Sequence, residues 1–223
     1  MAFYGLICVL KIRNLLIFSH FNIFDTKSYW IQNPVLSRVW VRFPPSVLFF
    51  FIYVMNKLIG IGGVSRSGKT ALAKRLAAEL QAKKNLSVHI IHQDQCVIIE
   101  SQLPLINGKA DWEHPVSIDW SRLNLLIDQD LQSYDIVIVE GLFAFYDQAI
   151  AERMNIKIFL EISKRQFIER KREDLRWGLE PDWYIEHIWE AYLRYGRPSL
   201  SSEYVCLNGA RDIDVRGLLD EIL

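Results

Sequence analysis

Gly63-Val64-Ser65-Arg66-Ser67-Gly68-Lys69-Thr70 fits G-x-x-x-x-G-K-[ST] without a mismatch, and its flanks supply the setting this pattern needs. Ahead of it, Leu58-Ile59-Gly60-Ile61 reads as a short buried strand. Behind it, Leu72, Leu76 and Leu80 recur at four-residue steps beside Ala73 and Ala77, which predicts a helix from Lys69 to about Lys84. Gly63 and Gly68 let the backbone curl so that successive N–H groups converge on phosphate oxygens. The helix start adds unpaired donors and the positive end of its dipole. Lys69 can reach the terminal phosphates of a nucleotide, and the Thr70 hydroxyl can ligate Mg²⁺. The eight residues from Gly63 to Thr70 are therefore the expected nucleotide-binding cradle.

Outward from the cradle the chain alternates. Val88 to Ile91, Ile136 to Val139, Ile156 to Leu160 and Tyr204 to Leu207 read as further strands. Ser117 or Asp119 can cap a helix through Trp120, Leu123 and Leu126, and a last helix carries Leu218 and Leu219. Apolar strands without alternation, spaced by helices, predict an α/β fold with a parallel sheet covered by helices on both faces.

The remaining composition narrows the class. With 223 residues, 51% of them hydrophobic and 23% charged, the chain has room for one domain and is neither disordered nor fibrous. Its 26 cations balance 26 anions, which leaves no global basic field for nucleic acid. Three cysteines at irregular spacing fit a reducing, cytoplasmic setting rather than a disulfide scaffold. The balance hides a split. Five of the cations (Lys11, Arg13, Lys27, Arg38 and Arg42) but one anion, Asp25, precede Met55, among many aromatics. That stretch shows neither a sustained helical period nor clean alternation. It lacks the ordered regions of a signal peptide, and its basic and aromatic content also suits a membrane surface. The preferred expectation is that residues 1–54 are an N-terminal extension outside the fold and that residues 55–223 form the domain.

Two acids stand at strand ends, where parallel sheets bind their ligands. Asp94 follows the second strand, and Glu140 follows the third and precedes Gly141. One such carboxylate can help hold a metal while another accepts a proton from an acceptor hydroxyl. The alternative is that each merely caps a following helix. Further on, Arg165, Arg170, Lys171, Arg172 and Arg176 form a basic run in which Arg165, Arg172 and Arg176 would share one face of a helix. Such a helix can serve as a lid over about 164–197, bringing cations to migrating charge. It can equally be a solvated helix paired with Glu169, Glu173 and Asp174. No N-K-x-D stretch for guanine is present.

Taken in order, these segments resemble the uridine kinase and nicotinamide riboside kinase family of P-loop nucleoside kinases. The resemblance runs from about Lys57 to the C-terminus. It is carried by the cradle, His92-Gln93-Asp94, Trp112-Glu113-His114-Pro115, Val139-Glu140-Gly141, His187-Ile188-Trp189 with Tyr192-Leu193-Arg194-Tyr195, and Leu207-Asn208-Gly209 with Arg211. It implies ATP and Mg²⁺, with transfer of the γ-phosphoryl group to the 5′-hydroxyl of a ribonucleoside, either uridine/cytidine or nicotinamide riboside. Asp94 would be the base and lie near the metal with Thr70 and Glu140. Trp112 and Glu113 would line the acceptor site together with Lys171. Lys69 and Arg172 would meet the moving charge, and Arg170, Arg176 and Arg211 would border ATP. The chain departs from the family where Gln95, Cys96 and Val97 stand in place of an acid and aromatics, and where Glu113 replaces an aspartate. Two other readings stay open: a kinase of another small alcohol, such as a sugar phosphate or pantothenate, and a non-catalytic nucleotide-binding module.

Overall fold

The structure is a computed structural model that describes residues 7–12, 15–20, 28–33, 36–41, 56–176, 178–198 and 203–222. The chain divides into two compact units, Met1–Met55 and Asn56–Leu223. In the first, β1 (Ile7–Ile12), β2 (Leu15–His20), β3 (Ser28–Asn33) and β4 (Leu36–Val41) pair antiparallel in chain order. No periodicity in the sequence predicts these strands, although their β-branched and aromatic content suits them.

The second unit is built on β5 (Lys57–Gly63), β6 (Val88–His92), β9 (Ile136–Glu140), β10 (Ile156–Glu161) and β11 (Val205–Asn208), all parallel, in the spatial order β11-β10-β5-β9-β6. A small hairpin of β7 (Leu105–Ile106) and β8 (Lys109–Ala110) lies between β6 and β9 in the chain. The central strand β5 has β9 on one side and β10 on the other, so the chain leaves it at the switch point where such sheets open a crevice.

Both faces of the sheet are covered. Successive side chains of a strand point to opposite faces. Ile59, Ile61 and Ile138 thus meet Leu72, Leu76 and Leu80 of α1 (Lys69–Lys84) and Leu218 of α6 (Val215–Ile222). Leu58, Val137 and Val139 pack on the other side with Leu123 and Ile127 of α2 (Trp120–Leu131) and Ile150 of α3 (Gln148–Arg153). Each such Leu or Ile contributes about 1.5–3 kcal/mol by leaving water. Asp119, not Ser117, caps α2, its Oδ1 accepting from Arg122 N at 2.9 Å; this is worth about 1 kcal/mol.

A third cluster joins α4 (Lys164–Arg172) to α5 (Asp182–Ala191) through Phe167, Ile185 and Ile188, packed on Phe159 of β10. Trp189 lies 5.4 Å from Phe167 and 5.2 Å from Tyr192, ring to ring, so it packs against this cluster. The shared arginine face is not formed. Helix α4 stops at Arg172, and Arg176 lies beyond it. There the Asp174 carboxylate takes Arg176 N at 3.4 Å and its Nε and Nη2 at 2.7 Å each. An aspartate bonding the chain just after it competes with the next helical turn. Among the described residues, no helix is long and apolar enough to cross a membrane.

Candidate active site

The cradle leaves β5 at Gly63, whose φ of 142° belongs to glycine. A Cβ there would sit 2.5 Å from the Leu160 carbonyl oxygen of the neighbouring strand. Arg66 takes φ 62° and Gly68 φ 103°, which turns the loop into α1. Helices α2, α3 and α4 are capped by the side chains of Asp119, Asp147 and Ser163, whereas Gly68 gives α1 no side-chain cap and no acid stands in its first turn. The first N–H groups of α1 are thereby left for an anion. Lys69 folds back, its Nζ donating to Val64 O at 3.0 Å. Burial lowers the Lys69 pKa, against the opposing pull of Glu140, Asp94 and Glu113. Those three acids are the ones assigned to the site by sequence, and all of them act on the cradle lysine.

Glu140 ends β9, is 6% exposed, and receives the Thr70 hydroxyl at 2.8 Å on Oε1. His92 Nδ1 lies 2.6 Å from the same oxygen. Asp94 is exposed on the short turn Gln93–Cys96, directly after β6. That turn is pinned from below, because buried Gln93 accepts from Phe143 N at 2.9 Å through Oε1. A hydroxyl and a carboxylate converging at the cradle's end suit a hard cation such as Mg²⁺, which takes few protein oxygens and completes its shell with phosphate and water. No group of three or more His, Cys, Asp or Glu that could hold a metal alone occurs among the described residues.

In the loop after β8, Asp111 Oδ1 accepts from Glu113 N at 3.1 Å, setting the turn that presents Glu113. Burial pushes the Glu113 carboxyl up to about 7; Lys171 and His187 oppose that rise, while Asp111 and Asp94 add to it. A carboxyl whose folded pKa lies above its unfolded value favours the folded state while protonated, and that stability is lost as pH rises from about 4.5 to about 7. Glu113→Gln is therefore expected to be more stable than the unaltered chain at pH 8, with the gain fading by pH 5 in thermal unfolding. Trp112 beside it is 37% exposed, available to stack.

The basic run divides. Lys171 is buried and pairs with Glu180 at 2.8 Å, next to Glu113. Arg170 Nη1 donates to Arg66 O at 3.1 Å and to Gly209 O at 3.0 Å, bridging α4, the cradle and the late loop. Arg66 Nε and Arg176 both face Asp174, and the hydrogen bonds from Arg176 hold that carboxyl well below the usual range. Arg211 lies exposed on the late loop, its N bonded to Asn208 O at 3.1 Å. Arg172 is not brought to the cradle; it meets Asp182 at 2.9 Å in an exposed pair, and Arg165 meets Glu169. Trp177, within the expected lid range of about 164–197, lies outside the described residues. Asp111 and Glu180 were not expected, since isolated acids in a loop carry no period or motif, whereas Asp174 pairs with the basic run as one of the two readings of that run has it.

Fold and cradle together define a protein of the P-loop class, a nucleotide-binding architecture. A sequence profile of the Phosphoribulokinase / Uridine kinase family matches residues 120–174. The uridine kinase of Deinococcus deserti is 28% identical over 174 residues, covering 66% of this chain and 80% of that protein. That of Chloroflexus aurantiacus is 30% identical over 167 residues, covering 63% and 77%. A solved structure from Silicibacter sp. TM1040, described as a candidate fructose transport system kinase, is similar in fold with a TM-score of 0.52 at 16% identity, over 73% of this chain and 97% of that one. The chain belongs to the phosphoribulokinase / uridine kinase family.

Proposed function

We propose that the protein transfers the γ-phosphoryl group of ATP to the 5′-hydroxyl of a ribonucleoside, uridine/cytidine or nicotinamide riboside. The observation that carries this reading is the glycine cradle at the end of β5 with Glu140, at the end of the neighbouring β9, taking the Thr70 hydroxyl at 2.8 Å. The cradle N–H groups, with Lys69, bind and orient the triphosphate. Thr70 and Glu140, with Asp94 close by, would hold Mg²⁺, which neutralises phosphate charge when bound. Asp94 orients the acceptor hydroxyl and takes its proton. Glu113 holds the sugar, Trp112 stacks on the base, and Lys171 keeps the acceptor-side acids balanced. Arg170, Arg176 and Arg211 border the nucleotide, and closure of a lid over about 164–197 would carry Arg172 to the transferring group. Because the transition state is loose, positioning and charge stabilisation supply most of the acceleration.

Coupled ADP detection with uridine, cytidine and nicotinamide riboside tests the reading. Turnover of at least one is expected, and a response restricted to sugar phosphates or pantothenate would replace the acceptor. The partners are then small molecules in a cytoplasmic setting, with no nucleic acid. Residues 1–54 are proposed to lie outside the catalytic domain; turnover by residues 55–223 equal to that of the full chain is expected, and its loss would place the segment in the domain.

A further inference from the structure

One side-chain pair joins the acceptor loop to the helix that follows the arginine run, and the roles assigned above make no use of it. Asp111 Oδ1 accepts from Glu113 N at 3.1 Å and lies 2.8 Å from His187 Nε2 of α5, a residue 76 positions away. A single carboxylate oxygen thus has two duties: it folds the turn carrying Glu113 and anchors that turn to α5. Both side chains are largely shielded, at 12% and 19% exposure. Tyr184, one turn earlier on α5, lies 6.0 Å from the His187 ring. Helix α5 is tied in turn to α4 by Lys164–Glu186 and Arg172–Asp182. Helix α4 reaches the cradle through Arg170.

We propose that Asp111 and His187 are a positioning pair that orients Glu113 and docks the acceptor loop on α5, so that acceptor affinity depends on a contact outside the acceptor's own binding groups. The inference rests on the reading of Glu113 as the sugar-binding group. Its physics is that of a binding-competent fraction. Without the anchor the loop regains other conformers, and the apparent affinity falls in proportion to the fraction still competent. Neither residue touches the reacting atoms, so the chemical step itself is spared.

Steady-state kinetics on the full chain, with uridine and nicotinamide riboside as acceptors, test it. His187→Ala is expected to raise the acceptor KM about tenfold while kcat and the KM for ATP stay within about twofold. His187→Gln, whose amide N–H can stand in for Nε2–H, is expected to recover most of that loss. Asp111→Ala should cost at least as much as His187→Ala, and the double variant no more than Asp111→Ala, because one linkage is being removed twice. An unchanged acceptor KM in His187→Ala overturns the proposal. So does an additive double variant, or a parallel fall of kcat, both affinities and Tm, which marks a merely structural role. Glu113→Ala separates the two layers. If it leaves the acceptor KM unchanged, the reading of Glu113 fails and the inference with it. If it raises that KM while His187→Ala does not, the positioning pair alone fails. Absence of turnover of both nucleosides by the unaltered chain overturns both.

Discussion

Asp94→Asn is expected to lower kcat by about 10²- to 10⁴-fold, the range a positioned general base supplies, with the fold intact. The carboxylate is exposed on the turn just past β6. An amide of the same shape therefore disturbs no packing, and Tm should stay within the small range of a surface substitution. What the amide cannot do is accept the acceptor's proton. Lys69→Ala should cost about 10²- to 10³-fold in kcat by removing a cation from the developing charge. Its KM for ATP should rise as well, which Asp94→Asn should not produce. Turnover retained by Asp94→Asn, measured by ADP release at saturating acceptor, would remove the base from the scheme.

Gly63→Ala is expected to destabilise the unit by about 2–5 kcal/mol, combining a glycine-only backbone conformation with overpacking. The added Cβ would press on a backbone carbonyl, Leu160 O at 2.5 Å, which is itself fixed in the pairing of β10 with β5. Neither strand can yield without breaking register at the mouth of the cradle. Gly68→Ala offers the contrast. Its Cβ meets nothing within 4 Å, so the cost there is the strain of φ 103° alone, about 1–3 kcal/mol. Thermal unfolding of both should show the larger drop for Gly63→Ala, at roughly 2–4 °C per kcal/mol for a chain of this size. Equal Tm values would show that the approach of β10 to the cradle is not the constraint.

Much of the domain was legible in sequence because its signals are local. The cradle, the helix Lys69–Lys84 and the five apolar strands each follow from residues within one turn or one strand. Asp94 just past β6 and Glu140 at the end of β9 were placed at strand ends by the same local reading, and the structure puts them there. The basic run was less readable. A seven-and-four spacing marks one face only while the helix continues, and Asp174 ends it by drawing Arg176 to itself. The buried lysine proved to be Lys171, whose neutralising partner Glu180 lies in the next loop.

By itself, then, the sequence determined the phosphate cradle, the parallel sheet beneath it and the acids at its edge, because backbone curvature, apolar period and strand ends are properties of consecutive residues. The tertiary structure alone decided which cations face that site and which face water, and that Asp111 meets His187 across 76 residues. Those outcomes depend on where two separate helices and a loop come to rest. Hydrophobic packing of Phe167, Ile185 and Ile188 sets that placement, and no spacing along the chain records it.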